Sequence, residues 1–229
     1  MHYCDTRAAN GPVAGLLPTS ARIGTCTRRI RVVALLVLLP ALLAACGGTW
    51  KTEYGDPLDR AVTSNWRVSQ VNVSVPETLT VSDENVYFPR ADIVWHGDPP
   101  GDRRAQAQRI VRDSARTATA PMRGGRPVAM NLTVREFHGI SPITLAKAPS
   151  AVYNMAFDAQ IVDARTGAAL TPPTQIHADV PALVGEAGIA AAQFGPTQKE
   201  QVTGHLVAVF EGWLGIGPDV RGTFSSFGR

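Results

Sequence analysis

The chain is 229 residues long, 45% hydrophobic, 18% charged and 7% aromatic, the composition of an ordinary globular protein with room for one domain or at most two. Its net charge of +3 is lodged in the first 45 residues, where Arg7, Arg22, Arg28, Arg29 and Arg31 face a single acid, Asp5; the near-neutral remainder lacks the basic footprint of a nucleic-acid binder. Cys4, Cys26 and Cys46 all lie near the N-terminus, so neither a disulfide framework nor a thiolate metal cage is available to the rest of the chain.

An apolar run over 32–45 directly follows the cluster Arg28, Arg29 and Arg31. It is shorter than the roughly twenty residues that a bilayer-spanning helix needs, and it fits the apolar core of a secretory signal peptide. The run ends Leu43-Ala44-Ala45-Cys46, followed by Gly47 and Gly48. That is the pattern of the bacterial lipobox: small residues flank a scissile bond between Ala45 and Cys46, and Cys46 is acylated on its thiol and then on its new amine. Several acyl chains, at about 0.8 kcal/mol per buried CH₂, hold a domain on a membrane far more firmly than one chain does. Residues 1–45 are therefore expected to be a lipoprotein signal peptide, with 1–22, which lack apolar periodicity, as an extension upstream of the true start. Arg28-Arg29 resembles a twin-arginine signal, but Arg31 stands where that signal wants a large apolar residue, so ordinary Sec export is expected. Gly47, in place of the aspartate that marks inner-membrane retention, implies the periplasmic face of the outer membrane; the alternative is the periplasmic face of the inner membrane.

Residues 46–64 are polar and aperiodic and read as a lipidated tether to an α+β domain over 65–215. Trp66 and Val68, then Val71, Val73 and Val75, alternate with polar residues but slip phase by one, which predicts a strand with a bulge near Gln70. A short strand is expected over Ala91 to Trp95. After the break Gly97-Asp98-Pro99-Pro100-Gly101, Asp102 stands as the N-cap of an amphipathic helix of about sixteen residues. Its apolar face is Ala107, Ile110, Val111, Ala115 and Ala118; Arg103, Arg104, Arg109, Arg112 and Arg116 take the solvated surface. Val128, Met130, Leu132 and Val134 mark the clearest strand, with a period of two. A proline-punctuated loop from Ser141 to Pro149 leads to a strand through Tyr153, Met155, Phe157, Ala159 and Ile161. Asp163 to Gly167 supplies hairpin chemistry, and a return strand near Leu170 to Ala178, interrupted by Pro172-Pro173, reads as an edge. A short alanine-rich helix over Gly185 to Gln193 precedes a capping box, Thr197 and Glu200, that opens the last helix. That helix presents Val202, Leu206, Val209, Phe210 and Trp213 to a core. Residues 216–229 read as a flexible tail. The expected fold is α+β: an antiparallel or mixed sheet of about five strands with two to three helices packed on one face.

Little in this pattern carries chemistry. His96, His138, His177 and His205 are scattered, without metal-ligand spacing. Ser141, in Gly139-Ile140-Ser141-Pro142-Ile143, begins like a nucleophile elbow but lacks the closing glycine and the strand-to-helix context. Asp163 to Gly167 holds one carboxylate where a calcium loop needs several. No metal, cofactor or catalytic residue is expected, and His138 is expected to be structural, beyond hydrogen-bond reach of Ser141 and of the other histidines. A metal-dependent hydrolase would need His138 beside a second histidine and a carboxylate such as Asp158 or Asp163.

The runs Ala91-Asp92-Ile93-Val94-Trp95, Gly101-Asp102-Arg103-Arg104-Ala105-Gln106, Arg135-Glu136-Phe137-His138 and Asp163-Ala164-Arg165-Thr166-Gly167 together resemble an uncharacterised family of Gram-negative lipoproteins carrying a domain of unknown function. More distantly, the layout is similar to periplasmic α/β modules of the curli-secretion lipoprotein and of lipoprotein activators of cell-wall synthases. The resemblance implies a fold and no catalytic residue. The function expected is that of a non-enzymatic envelope lipoprotein, held on the membrane through Cys46 and binding or assembling with another envelope protein. The alternative is a carrier of a lipid or small apolar ligand for an envelope transport system; a periplasmic hydrolase is third.

Overall fold

A computed structural model describes residues 48–226; the signal peptide expected over 1–45, with its cleavage site at Ala45 and Cys46, lies outside the described residues. Strand β1 (Gly48–Glu53) and the one-turn helix α1 (Arg60–Thr63), capped by Asp59, lead into β2 (Trp66–Ser74). β2 shifts register between Val68 and Gln70, the bulge that the slipped valine phase predicts, and so keeps both Trp66 and Val71 buried. Two short strands, β3 (Val81–Ser82) and β4 (Ile93–Val94), flank a long loop. Asp102 then accepts from the Ala105 amide at 3.1 Å and starts α2 (Arg103–Thr119).

The long strands β5 (Arg126–His138) and β6 (Ala151–Asp163) pair antiparallel along their length, with the short helix α3 (Pro142–Lys147) between them. The hairpin after β6 turns on Asp163, whose carboxylate accepts from the Arg165 and Thr166 amides, and on Gly167, whose φ of +73° disfavours a side chain. Strands β7 (Thr174–Ala178) and β8 (Val180–Ala182), helices α4 (Gly185–Phe194) and α5 (Gln198–Trp213), and β9 (Gly222–Ser226) complete the order.

The sheet runs β3-β4-β5-β6-β7-β1-β9, with β2 beside the first part of β5 and β8 beside the start of β6. Strands β2 to β5 run parallel, because α2 carries the chain back over the sheet between β4 and β5; the other pairings are antiparallel. Helices α2 and α5 cover one face. There Ile110, Val111, Val202, Leu206, Phe210 and Trp213 meet Met130, Leu132, Phe137, Met155, Phe157 and Ile161 in a continuous core. Phe157 and Phe210 lie with ring centroids 6.1 Å apart, and Trp95 stands edge-on to Phe137 at 5.3 Å.

The mixed sheet with helices on one face is as expected, but it is larger: nine strands and five helices stand among the described residues. Residues 48–64, expected as a tether, supply β1 and α1 and bury Thr52, Tyr54 and Thr63. Part of the expected tail, Gly222–Ser226, is β9, paired with β1 from Gly48 to Thr52. The presumed edge strand β7 is internal, between β6 and β1, because Pro172-Pro173 precede it rather than interrupt it. The loop expected after Ser141 holds α3, and Arg103, expected in solvent, is 5% exposed.

Candidate functional site

Alternation along β5, β6 and β7 sends one set of side chains into the core and the other to the opposite face, over which no helix packs among the described residues. Glu136 on β5 lies opposite Ala156 on β6, Ala156 opposite His177 on β7, and His177 opposite Glu53 on β1. A second row joins Thr133, Asp158 and Gln175. Ala156 is the smallest side chain of its row, so the surface sinks between Glu136 and His177. A bulge between Val134 and Glu136 turns Arg135 onto this same face.

The depression is roofed at one end by the segment 88–92. Phe88, Pro89, Arg90, Ala91 and Asp92 close over Arg135, Glu136, Ala156, Gln175 and His177 around a trough of about 630 Å³. The roof is tied down at several points. The Asp92 carboxylate accepts from the amide and hydroxyl of Thr80, both at 2.7 Å, and the Pro89 carbonyl lies 3.2 Å from His138 Nε2. The Val86 carbonyl accepts from Ser141 Oγ at 2.7 Å and the Tyr87 carbonyl from Thr144 Oγ1 at 3.2 Å. On the floor, Arg135 Nε donates to Asp158 at 2.7 Å, and this carboxylate raises the guanidinium above its ordinary value. The trough thus presents carboxylates and guanidinium groups together with a rim of Phe88, a surface suited to a polar partner with an apolar element.

The histidines and the serine singled out in the sequence do not converge here. His138 is buried, its Nδ1 3.1 Å from the Gly139 carbonyl and its Nε2 facing Pro89; burial lowers its pKa against the pull of those two carbonyls. Its two ring nitrogens thus face backbone carbonyls, to one of which the neutral ring donates, and no hydrogen bond runs to Ser141. The Ser141 hydroxyl instead caps α3 through the Thr144 amide at 3.2 Å. His205 sits on α5 with Nε2 3.2 Å from Thr52 Oγ1, and burial pushes its pKa down to about 4. His96 lies beside the turn before α2, its pKa lowered by burial and then by Arg103. His177 alone lines the trough. Asp158 is engaged by Arg135, and Asp163 by its own hairpin and by Arg126, which hold its pKa down to about 2. Among the described residues no group of three or more His, Cys, Asp or Glu side chains is placed to hold a metal ion. No helix among them is long and apolar enough to cross a membrane.

Arg135, Gln175 and the roof over 88–92 were beyond sequence reasoning. The signal that existed was the aromatic pair Tyr87-Phe88 in a stretch with no strand or helix period.

Comparison with solved structures finds remote likenesses. A protein of Caulobacter crescentus CB15, provisionally described as a lipoprotein, is 23% identical, covers 48% of this chain and 84% of its own, and has a TM-score of 0.31. Two crystal forms of the PelC dodecamer from Paraburkholderia phytofirmans are 10% and 12% identical, cover 70% and 69% of this chain and 96% of PelC in each case, and have TM-scores of 0.29 and 0.27. The likeness to curli-secretion and cell-wall-synthase lipoproteins finds no support in these comparisons, and no curated protein matches the chain. The profile of the family of unknown function DUF6778 matches residues 66–229, and the chain belongs to that family.

Proposed function

We propose that this chain is a non-catalytic lipoprotein of the bacterial envelope, exported by its N-terminal signal, held on the periplasmic face of a membrane through acylated Cys46, and engaging another envelope protein through the open face of its sheet. The observation that carries the reading is the asymmetry of the sheet. One face is filled by α2 and α5, whereas the other is polar, roofed at one end and hollowed over Ala156. A carrier needs a void between sheet and helices, and Phe157, Phe210, Met155 and Trp213 occupy that space. An interaction module needs a filled core and an accessible recognition surface, which is the arrangement here. The outer membrane, implied by Gly47, is the proposed location.

Two measurements test the proposal. Intact-mass analysis of detergent-extracted protein is expected to give a chain that begins at Cys46 and carries acyl chains. A photo-crosslinking side chain at Gln175, in living cells, is expected to capture one discrete envelope protein, while the same probe at Arg112 on the helix face captures none. Ala156→Trp, which fills the trough floor, is expected to abolish that adduct. A mass that retains residues 1–45 on an unmodified Cys46 overturns the anchoring; equal labelling at Gln175 and Arg112 overturns the recognition face.

A further inference from the structure

Helix α4 has an unusual composition for a surface helix. Its sequence, Gly-Glu-Ala-Gly-Ile-Ala-Ala-Ala-Gln-Phe, holds a single charge, Glu186, yet only Gly188 and Ala191 are buried. Gly188 lets α4 approach its neighbours: a Cβ there would stand 2.6 Å from the Leu183 carbonyl oxygen and 3.2 Å from that of Leu145 on α3. The remaining apolar side chains face outward, with Ile189 43% and Phe194 86% exposed, and Leu183, just before the helix, is 38% exposed. A cluster of exposed large apolar side chains marks a surface that is covered in use.

The strand register places this surface relative to Gly48. Ala182, the last residue of β8, pairs with Ala151, the first of β6, so α4 begins at the end of the sheet where β6 starts. Gly48 belongs to the same end: it pairs with Ser226, whose hydroxyl lies 3.1 Å from that of Ser150. Helix α5 also starts there, its Gln198 holding the Ile140 amide and carbonyl, so both ends of α4 stay at this end of the sheet. Cys46 is two residues from Gly48, and a chain of two residues spans at most about 7 Å. Acyl chains on Cys46 therefore bring a bilayer to this end of the sheet. Trp50, whose Nε1 donates to the Ser226 carbonyl at 3.3 Å, and the exposed Lys147 at the end of α3 add an aromatic and a cation of the types enriched at membrane interfaces.

We propose that α4, with Leu183 before it, lies in the headgroup region of the bilayer that holds the Cys46 acyl chains, so that the domain is fixed on the phospholipid surface in one orientation. The proposal rests on the acylation of Cys46. Binding at an interface scales with the apolar area buried below the headgroups, and a covalent anchor within reach removes most of the entropic cost of bringing that area there. With this end against lipid, the long axis of β5 and β6 stands off the membrane, and the trough over Ala156 opens sideways, accessible to a partner in the periplasm.

The test uses the full processed lipoprotein in vesicles of phosphatidylethanolamine and phosphatidylglycerol, with a nitroxide attached at Ala192→Cys on α4 or at Gln175→Cys on the open sheet face. The thiol of acylated Cys46 is blocked, so only the introduced cysteine reacts. The label at 192 is expected to respond several-fold more strongly to oxygen than to a water-soluble nickel complex, and the label at 175 to show the reverse preference. Intact mass is read on the same sample. If the mass shows acylation and position 192 is as accessible to nickel as position 175, the membrane-facing role of α4 is wrong while the anchoring stands. Spin–spin broadening at 192 that disappears on dilution with unlabelled protein assigns the face to a second copy and also overturns the proposal. An unacylated mass removes the anchoring and this inference with it.

Discussion

At the scale of single residues, the side chains that looked chemical in the sequence prove to be tied into the packing by hydrogen bonds to their neighbours. Thr52 shows this for His205: its hydroxyl donates to the Asp179 carbonyl at 2.9 Å, so His205 Nε2, 3.2 Å away, is the donor to Thr52 and carries the proton of a neutral ring. Adding a second proton places a charge in a buried site, which is why the pKa falls from 6.5 to about 4. Between those values the unfolded chain takes up a proton that the folded chain refuses. The stability from this group is therefore complete above the unfolded value and is lost as pH falls toward 4, by up to about 3 kcal/mol. His205→Gln keeps an N–H donor and removes the titration. The urea midpoint of this variant is expected to shift less between pH 7 and pH 4.5 than that of the parent, and an identical shift contradicts the assignment.

Arg103 is the opposite case, a residue expected in solvent that turns inward. Its Nε pairs with Asp83 at 2.5 Å, while Nη1 donates to Gln106 Oε1 at 2.8 Å and to the Asp98 and Pro99 carbonyls at 3.3 and 3.1 Å. Asp83 is 60% exposed, so the ion pair itself contributes little. The carbonyls of the 98–99 turn are what the guanidinium satisfies. Arg103→Leu is expected to cost about 1–3 kcal/mol in urea unfolding, and Asp83→Asn under about 1 kcal/mol. Equal losses in the two variants place the weight on the ion pair instead.

At the scale of elements, periodicity was a reliable guide wherever an element has one buried face and enough length to show it. α2 starts at Asp102, as its cap predicts, and α5 opens on the Thr197–Glu200 capping box. All five residues of the α5 stripe, Val202, Leu206, Val209, Phe210 and Trp213, are fully buried. Phe210 fills the gap above Phe157 between helix and sheet. Phe210→Ala is expected to destabilise the processed domain by about 3–5 kcal/mol, measured by denaturant unfolding. A loss under about 1 kcal/mol means that the helix packs loosely on β6. β4 is the core of the strand expected over Ala91 to Trp95, and the elements missed here are those with no period to read: β3, two residues, β8, three, and α3, a single turn and a half that Ser141 caps. Elements this short exist because a neighbour offers backbone partners, not because of their own residues.

At the scale of the molecule, the two ends of the described chain close one edge of the sheet together. β1 and β9 pair over five residues, and Tyr54 binds Asp219 Oδ1 at 2.8 Å while accepting from the Val220 amide at 3.1 Å. Nothing local in 46–64 or 216–229 announces this, since each strand is stabilised by the other from far along the chain. The sequence by itself determined the export and acylation signal as an expectation, the pairing-ready alternation of β5 and β6, the bulge in β2, the caps of α2 and α5 and the helix faces that build the core. These are set by spacing within one element and by the sign of hydrophobic burial, both of which are local. The tertiary structure alone decided that β7 is internal, that Ser141 is a cap, that Arg103 is buried, and that the sheet keeps one polar face open beneath a roof. Those outcomes depend on which segments become neighbours, and a residue's partners across a sheet are fixed by register and topology rather than by anything in its own stretch of chain.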